Sequence, residues 1–172
     1  MRLYPVWNIA HDDKYIDLVD ALLTSRNLTR HVLKVGPEVL HAPELLLDMS
    51  IAVDRLERAV RAGEKIVVHG DYDVDGVCST ALLMDFLEHV GAECGYLLPD
   101  RHKDGYGLKP PGVERAIEMG AQLIVTVDNG ISAFEALELA AERGVDVIVA
   151  DHHQQLEELP RALAIVNPNR RD

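Results

Sequence analysis

The chain has 172 residues, of which 48% are hydrophobic and 27% are charged, and these proportions are ordinary for a globular domain. Its formal net charge of −12 argues against DNA binding by this surface alone, because a phosphate polyanion prefers a basic surface. The sequence has no run of about 18 apolar residues and no signal-peptide pattern. We therefore expect one cytoplasmic domain, with or without a small addition, that keeps Cys78 and Cys94 reduced.

Residues 1–62 are predicted to form a helical segment that precedes the main domain. Apolar residues at helical spacing predict a helix around residues 15–22. Gly36-Pro37 permits at most a short helix and a turn in the middle of the segment. Pro43 is predicted to begin a helix that continues to about Arg61 and stops at Gly63.

From Lys65 onward, short apolar runs alternate with helical stretches. The predicted elements are strand 65–69, helix 76–90, strand 94–98, helix 112–119, strand 122–127, helix 132–143, strand 145–150 and strand 162–166. Continuous apolar strands separated by helices favour right-handed βαβ units. We therefore predict an α/β domain over residues 63–172, with a parallel sheet and helices on both faces.

Three of the predicted strands end in side chains that can bind metal ions. The segments that follow them are His69-Gly70-Asp71-Tyr72-Asp73-Val74-Asp75-Gly76, Asp128-Asn129-Gly130 and Asp151-His152-His153. In an open parallel sheet, the carboxyl ends of the strands line the ligand crevice. The two-residue spacing of the ligands in the first segment lets them face one way if the loop is extended. We therefore expect a metal site at one edge of the sheet.

Each segment alone has a simpler interpretation. Asp128-Asn129-Gly130 is typical of a turn, and His152-His153 could be a surface pair. The first segment could be a calcium loop, although it lacks the distal Glu of an EF-hand. Their occurrence at three strand ends favours the metal site over these alternatives.

The ligand types indicate which metal is expected. Imidazoles and carboxylates without a thiolate favour Mn²⁺ or a similar ion, whereas Mg²⁺ prefers sites made only of oxygen ligands. The candidate ligands exceed what one ion takes, and two ions that share a bridging carboxylate would use them. Paired metals are a common device for phosphoester hydrolysis.

A fourth segment, Pro99 to Leu108, also follows a predicted strand. Arg101 offers a planar fork that can bind phosphate oxygens in a bidentate manner. The alternative is a solvated loop with a glycine turn. Arg101, Gly105 and Tyr106 are the predicted substrate-binding residues.

At these four segments the sequence resembles the DHH phosphoesterase superfamily, named for an Asp-His-His such as residues 151–153. Within it, the chain is most similar to RecJ-type exonucleases, which are specific for single strands and act 5′→3′. The resemblance covers nearly the whole chain, and the residues that carry it are 25–29, 48–49, 69–76, Arg101 with 105–108, 127–131, 151–153 and 159–168.

The resemblance implies a set of metal ligands. His69 and Asp73 would bind one ion. Asp75 and His152 would bind the other, and Asp128 would bridge the two ions. Manganese would be the preferred ion, with magnesium tolerated.

The resemblance also implies hydrolysis of single-stranded DNA in repair and recombination. His153 would lie over the scissile phosphate, and Asp71 and Asp151 would orient the ligands. Family members carry a further metal-binding Asp and a DHHA1 domain downstream, so we expect this chain to be an N-terminal portion whose activity alone is uncertain. The alternatives are a hydrolase of small phosphates or short oligonucleotides, and a non-catalytic binding module. Single-strand-binding proteins or helicases as partners cannot be read from the sequence.

Overall fold

The computed structural model describes residues 17–34, 36 and 40–172, and the chain divides into two compact units, Met1–Ala42 and Pro43–Asp172. In the first unit, helix α1 spans Leu18–Thr24, and the Asp17 side chain caps its N-terminus. A 3₁₀ helix follows at Arg30–Lys34. The predicted helix is therefore present. Its predicted start at residue 15 lies outside the described residues, and so does Pro37 of the predicted break.

The second unit begins with two helical pieces instead of one. A 3₁₀ turn at Pro43–Leu45 is separated from helix α2, Met49–Ala62, by Asp48 in a left-handed conformation with φ 57°. The Asp48 carboxylate accepts a hydrogen bond from the Ile165 backbone N–H at 3.0 Å, a long-range contact that accounts for the interruption. The prediction of one continuous helix from Pro43 is therefore wrong, whereas the predicted stop at Gly63, with φ 66°, is confirmed.

Five parallel strands form the sheet. They are β1 (Ile66–His69), β2 (Cys94–Leu97), β3 (Leu123–Val127), β4 (Asp146–Ala150) and β5 (Ala164–Val166). Their order is β2-β1-β3-β4-β5, and all neighbouring pairs are parallel. Each predicted strand is present, with its limits shortened by one or two residues.

Helices cover both faces of this sheet, as the sequence predicts. The remaining helices are α3 (Val74–His89), α4 (Pro110–Glu118) and α5 (Phe134–Glu142). Val67 packs with α4 and α5, whereas its neighbours Ile66 and Val68 pack with α2 and α3, since successive strand residues point to opposite faces. No helix in the described part of the chain is long and apolar enough to cross a membrane.

Helix α2 lies in the same compact unit as the sheet and contributes Ala52 and Ala59 to one of its cores. This helix is predicted from the sequence to belong to the lead-in, but the division in the structure lies after Ala42, earlier in the chain than residue 62. The reason is the apolar face of α2, which is buried against the sheet. The assignment of residues 63–172 as the family domain stays a prediction.

The strand order determines where the candidate residues meet. The chain moves from β1 outward to β2 and then returns to the other side of β1 as β3. Ligand sites in such sheets lie at the carboxyl ends of the strands where the order reverses. The segments after His69, Val127 and Ala150 therefore lie next to one another at one edge.

Candidate metal centre

Three side chains from the ends of β3 and β4 converge at this edge. Within the described residues, ligand atoms of Asp128, His152 and His153 lie within 4.8 Å of one another. His152 Nε2 lies 2.8 Å from Asp128 Oδ1, and the two imidazole centroids are 4.7 Å apart. Imidazole and carboxylate together are suitable ligands for a divalent transition metal. The sequence prediction that these segments meet is confirmed for these three residues.

The Asp128 carboxylate has an environment that a cation would improve. It is 8% exposed, and its Oδ2 atom has no hydrogen-bond partner among the described residues. Burial raises the pKa of the Asp128 carboxyl; the His152 hydrogen bond opposes this shift, and the neighbouring Asp73 carboxylate adds to it. A buried acceptor without a donor is costly, so the residues present fit a divalent metal.

Asp73 and Asp75 lie at the start of α3. The Asp73 side chain caps the helix and accepts the Gly76 N–H at 2.9 Å, and this bond lowers the pKa of the Asp73 carboxyl. Because α3 begins at Val74, Asp75 lies in the first helical turn and is exposed. The expectation that Asp75 belongs to an extended loop is therefore wrong. The ligand roles of both residues stay predictions.

His69 points toward α4. Its Nε2 lies 3.1 Å from the place that a Cβ atom at Gly112 would occupy, and its Nδ1 finds no hydrogen-bond partner among the described residues. Burial lowers the pKa of His69 to about 4, so the imidazole is neutral at pH 7. A neutral imidazole is the form that binds metals, but His69 is not among the side chains whose ligand atoms meet. Its metal role stays a prediction.

Asp71 is fully buried and connects two of the predicted segments. Its Oδ1 accepts the Gly107 backbone N–H at 3.3 Å. The loop after β1 is thereby joined to the loop after β2, which supports the predicted orienting role without testing it.

Asp151 holds the loop that carries the two histidines. Its Oδ1 accepts the backbone N–H groups of His152 and His153 at 2.7 and 3.0 Å and lies 2.7 Å from His153 Nδ1, while Oδ2 accepts the Ile131 N–H at 3.0 Å. Burial acts to raise the pKa of the Asp151 carboxyl, but these hydrogen bonds outweigh burial and lower it. Conversely, burial acts to lower the pKa of His153, and the Asp151 carboxylate outweighs burial and raises it. The contacts orient the His153 ring.

The three predicted substrate-binding residues have different environments. The Tyr106 hydroxyl lies 3.0 Å from His153 Nδ1 and 3.2 Å from the Asp128 carbonyl oxygen, so it contacts the metal-site residues directly. The Arg101 guanidinium lies over the Tyr72 ring, 4.5 Å from its centroid, in a cation–π contact. Gly105 has φ 73°, and its N–H donates to the Asp100 carbonyl oxygen at 3.2 Å at the end of the turn 101–104. Their roles in substrate binding stay predictions.

Sequence reasoning gave no role to Asn129, which is fully buried beneath the site. Its Nδ2 donates to the carbonyl oxygens of His69 at 3.0 Å and Val127 at 2.9 Å. Its Oδ1 accepts the Leu108 N–H at 3.1 Å. One amide therefore joins the ends of β1 and β3 to the loop after β2. Its signals were its position beside Asp128, which equally indicates a turn, and its place in the segment 127–131 that carries the family resemblance.

Two further amides were missed after β5. Asn167, 2% exposed, donates to the His153 carbonyl oxygen at 3.0 Å, and the Asn169 side chain donates to the His152 carbonyl oxygen. Asn167 lies within the 159–168 segment that carries the family resemblance, and Asn169 follows it directly. Their role becomes visible only once β5 is seen to pair with β4.

The chain is similar to known proteins in sequence and in fold. Residues 65–172 match the DHH family, N-terminal domain. A single-stranded-DNA-specific exonuclease RecJ of Haemophilus influenzae is 43% identical over 155 residues, which are 88% of this chain and 27% of that protein. The protein of the same name from Escherichia coli is 51% identical over 122 residues, 70% of this chain and 21% of that protein.

Among solved structures, a crystal structure of exonuclease RecJ bound to manganese aligns with a TM-score of 0.69 and 39% sequence identity. The alignment covers 75% of this chain and 33% of that one. The present chain spans between a fifth and about a quarter of the length of the two curated relatives. The predicted α/β fold and the predicted resemblance to RecJ-type proteins are confirmed, and the chain belongs to the DHH family.

Proposed function

We propose that this chain is part of an enzyme that hydrolyses phosphodiester bonds of single-stranded DNA from the 5′ end, with bound divalent cations. The observation that carries the proposal is the convergence of Asp128, His152 and His153, in which the Asp128 Oδ2 atom is buried and has no hydrogen-bond partner among the described residues. The similar RecJ proteins, described as single-stranded-DNA-specific exonucleases, support the substrate class.

Asp73, Asp128 and His152 would hold the cations, with His69 and Asp75 as further ligands. Two ions are expected, and Mn²⁺ is favoured over Mg²⁺ because imidazoles accompany the carboxylates. The similar RecJ structure bound to manganese supports this choice. When bound, a divalent cation supplies Lewis-acid stabilisation of the charge that develops on the phosphoryl oxygens.

His153 is the residue that we assign to the phosphate. Asp151 Oδ1 lies 2.7 Å from its Nδ1, so an Nδ1–H donates to this carboxylate, and the Tyr106 hydroxyl packs against the same nitrogen at 3.0 Å; the ring is thereby held in one orientation. A donor held in this way stabilises negative charge without reorganising during the reaction. Asp151 and Asp71 would act as orienting residues.

Binding of the strand must overcome the negative charge of the chain. Arg101 would contact a phosphate, Gly105 would let the backbone approach, and Tyr106 would lie beside the reacting group. The Tyr72 ring limits the motion of the Arg101 guanidinium, which reduces the entropy lost when it binds. We place the enzyme in the cytoplasm and in DNA repair or recombination.

The test is hydrolysis by the 172-residue chain with Mn²⁺. The substrates are a 5′-labelled single strand, the matching blunt duplex and pyrophosphate. We expect loss of nucleotides from the single strand only, no activity in Asp128→Asn, and full activity in the control Asp85→Asn, whose carboxylate is exposed on α3. Preferential hydrolysis of pyrophosphate would favour the small-phosphate alternative. Hydrolysis of none of the substrates, with Mn²⁺ bound, would show that this chain alone is not the hydrolase, and the same result after fusion to a DHHA1 domain would favour a non-catalytic module.

A further inference from the structure

A recess of about 350 Å³ lies beside the His153 edge of the site. One side is formed by the loop that leads into α4. The other side is formed by the segment that precedes α5 and by the first turn of that helix. Its apolar walls include Tyr106, Leu108, Pro110 and Phe134. This volume is at the lower end of the range for small-molecule sites, and largely apolar walls with a few polar groups are usual for them.

Tyr106 connects the recess to the metal centre. Tyr106 lines the recess, and its hydroxyl lies 3.0 Å from His153 Nδ1 and 3.2 Å from the Asp128 carbonyl oxygen. Gly130 lines the recess, and its neighbour Ile131 donates its N–H to Asp151. A group bound in the recess would therefore lie next to a phosphate held at His153.

The charges around the recess disfavour a phosphate inside it. The charged residues of its lining are Lys109 and Glu135. The Lys109 ammonium donates to the Asp104 carbonyl oxygen at 2.5 Å, which uses one of its three N–H groups, and the exposed Glu135 carboxylate offsets its charge and would repel an anion. Glu135 and the Ser132 hydroxyl can instead bond to the polar edge of a neutral heterocycle.

We propose that this recess binds one unpaired nucleobase of the strand whose phosphate lies at His153. The inference rests on the proposed function. Bases stack on aromatic side chains irrespective of sequence, and Phe134 and Tyr106 provide aromatic walls. A base within a duplex is stacked and paired, so it must first leave the helix to enter a pocket. The recess would thereby contribute to a preference for single strands.

The test is equilibrium binding of two probes to the Mn²⁺-loaded chain, measured by calorimetry. The probes are deoxyadenosine 5′-monophosphate and deoxyribose 5-phosphate, which share the phosphate and differ by the base. We expect the nucleotide to bind about 10-fold more tightly, the ratio that typical base stacking supplies. Equal affinity for the two probes, or no measurable binding of the nucleotide, would overturn the proposal.

The chain offers a matched control because it contains two phenylalanines, and Phe86 is exposed on α3, 53% of its surface being accessible. Phe134→Ala should reduce the ratio to about one, whereas Phe86→Ala should leave it unchanged. Ser132→Leu narrows the recess from an exposed position without adding an aromatic surface, and it should have the same effect as Phe134→Ala. A ratio that survives both recess variants would place the base elsewhere and refute the inference.

This measurement does not require hydrolysis, so the two proposals fail separately. A base-dependent ratio in a chain that hydrolyses no DNA would leave the recess as a nucleotide site and reject the proposed activity. Hydrolysis of single strands with equal binding of both probes would keep the activity and reject the recess.

Discussion

Asn167→Ala is the substitution that best tests how the histidine loop is held. The Asn167 side chain is 2% exposed and makes two hydrogen bonds, one from Nδ2 to the His153 carbonyl oxygen at 3.0 Å and one to Oδ1 from the Asn169 N–H at 2.7 Å. A hydrogen bond contributes about 0.5–1.5 kcal/mol to stability, so the loss of both should cost about 1–3 kcal/mol. For a protein of this size, a loss of about 2 kcal/mol lowers Tm by about 4–8 °C.

We expect Asn167→Ala to weaken Mn²⁺ affinity while the protein remains folded. Without this bond the loop keeps the hydrogen bonds from the His152 and His153 N–H groups to Asp151, but the His153 carbonyl loses its restraint and the convergence of His152 with Asp128 becomes less tightly fixed. We therefore expect weaker Mn²⁺ binding by calorimetry, in a protein that is still folded by circular dichroism. The control is Gln154→Ala, an exposed amide in the same loop, which should change neither Tm nor Mn²⁺ affinity. If Asn167→Ala has the same Tm and the same Mn²⁺ affinity as Gln154→Ala, the positioning role of Asn167 is rejected.

Three further predictions concern the charged side chains of the site. Asp128→Asn should abolish Mn²⁺ binding but raise the Tm of the metal-free protein, because burial and Asp73 disfavour the Asp128 charge; a lower Tm with unchanged Mn²⁺ affinity would contradict this. His152→Ala should weaken Mn²⁺ affinity and activity together with partial rescue by excess Mn²⁺, whereas His153→Ala should lower kcat by about 10²–10³ with Mn²⁺ affinity nearly unchanged; the reverse pattern would exchange their roles. The folded-state pKa of Asp151 lies below its ordinary value of 3.8, so the stabilisation by its carboxylate is complete above that pH and is lost as the pH falls through the folded-state pKa. The free energy of unfolding in urea should therefore fall less on acidification for Asp151→Asn than for the parent chain. An equal decrease for the two proteins would refute this.

The strands and their chemical ends could be predicted from the sequence because both signals are local. Runs such as Ile66-Val67-Val68 are apolar on both faces, which is typical of strands covered on both sides. The carboxylates and imidazoles follow these runs directly, and the carboxyl ends of parallel strands share one edge. The meeting of Asp128 with His152 and His153 could therefore be predicted before any contact was known.

Local conformation at the turns could be predicted less well. The extended loop expected through Asp75 ends at Asp73, whose side chain caps α3. Asp is a common N-cap residue, so the sequence contained this signal, but the alternating carboxylates favoured another interpretation. The interruption at Asp48 carried no comparable signal, since its carboxylate is held by Ile165 and Arg170 from the far end of the unit.

The amides that hold the site could not be predicted from sequence for a related reason. Asn167 and Asn169 donate to backbone carbonyls, and a backbone carbonyl is present at every residue, so no side-chain pattern identifies the partner. What selects His152 and His153 is the pairing of β5 with β4, which continues past the strand ends through the Asp151 N–H and the Val166 carbonyl oxygen at 3.1 Å. The chemistry of the site thus depends on side chains that can be read locally, while their placement depends on the order of the strands.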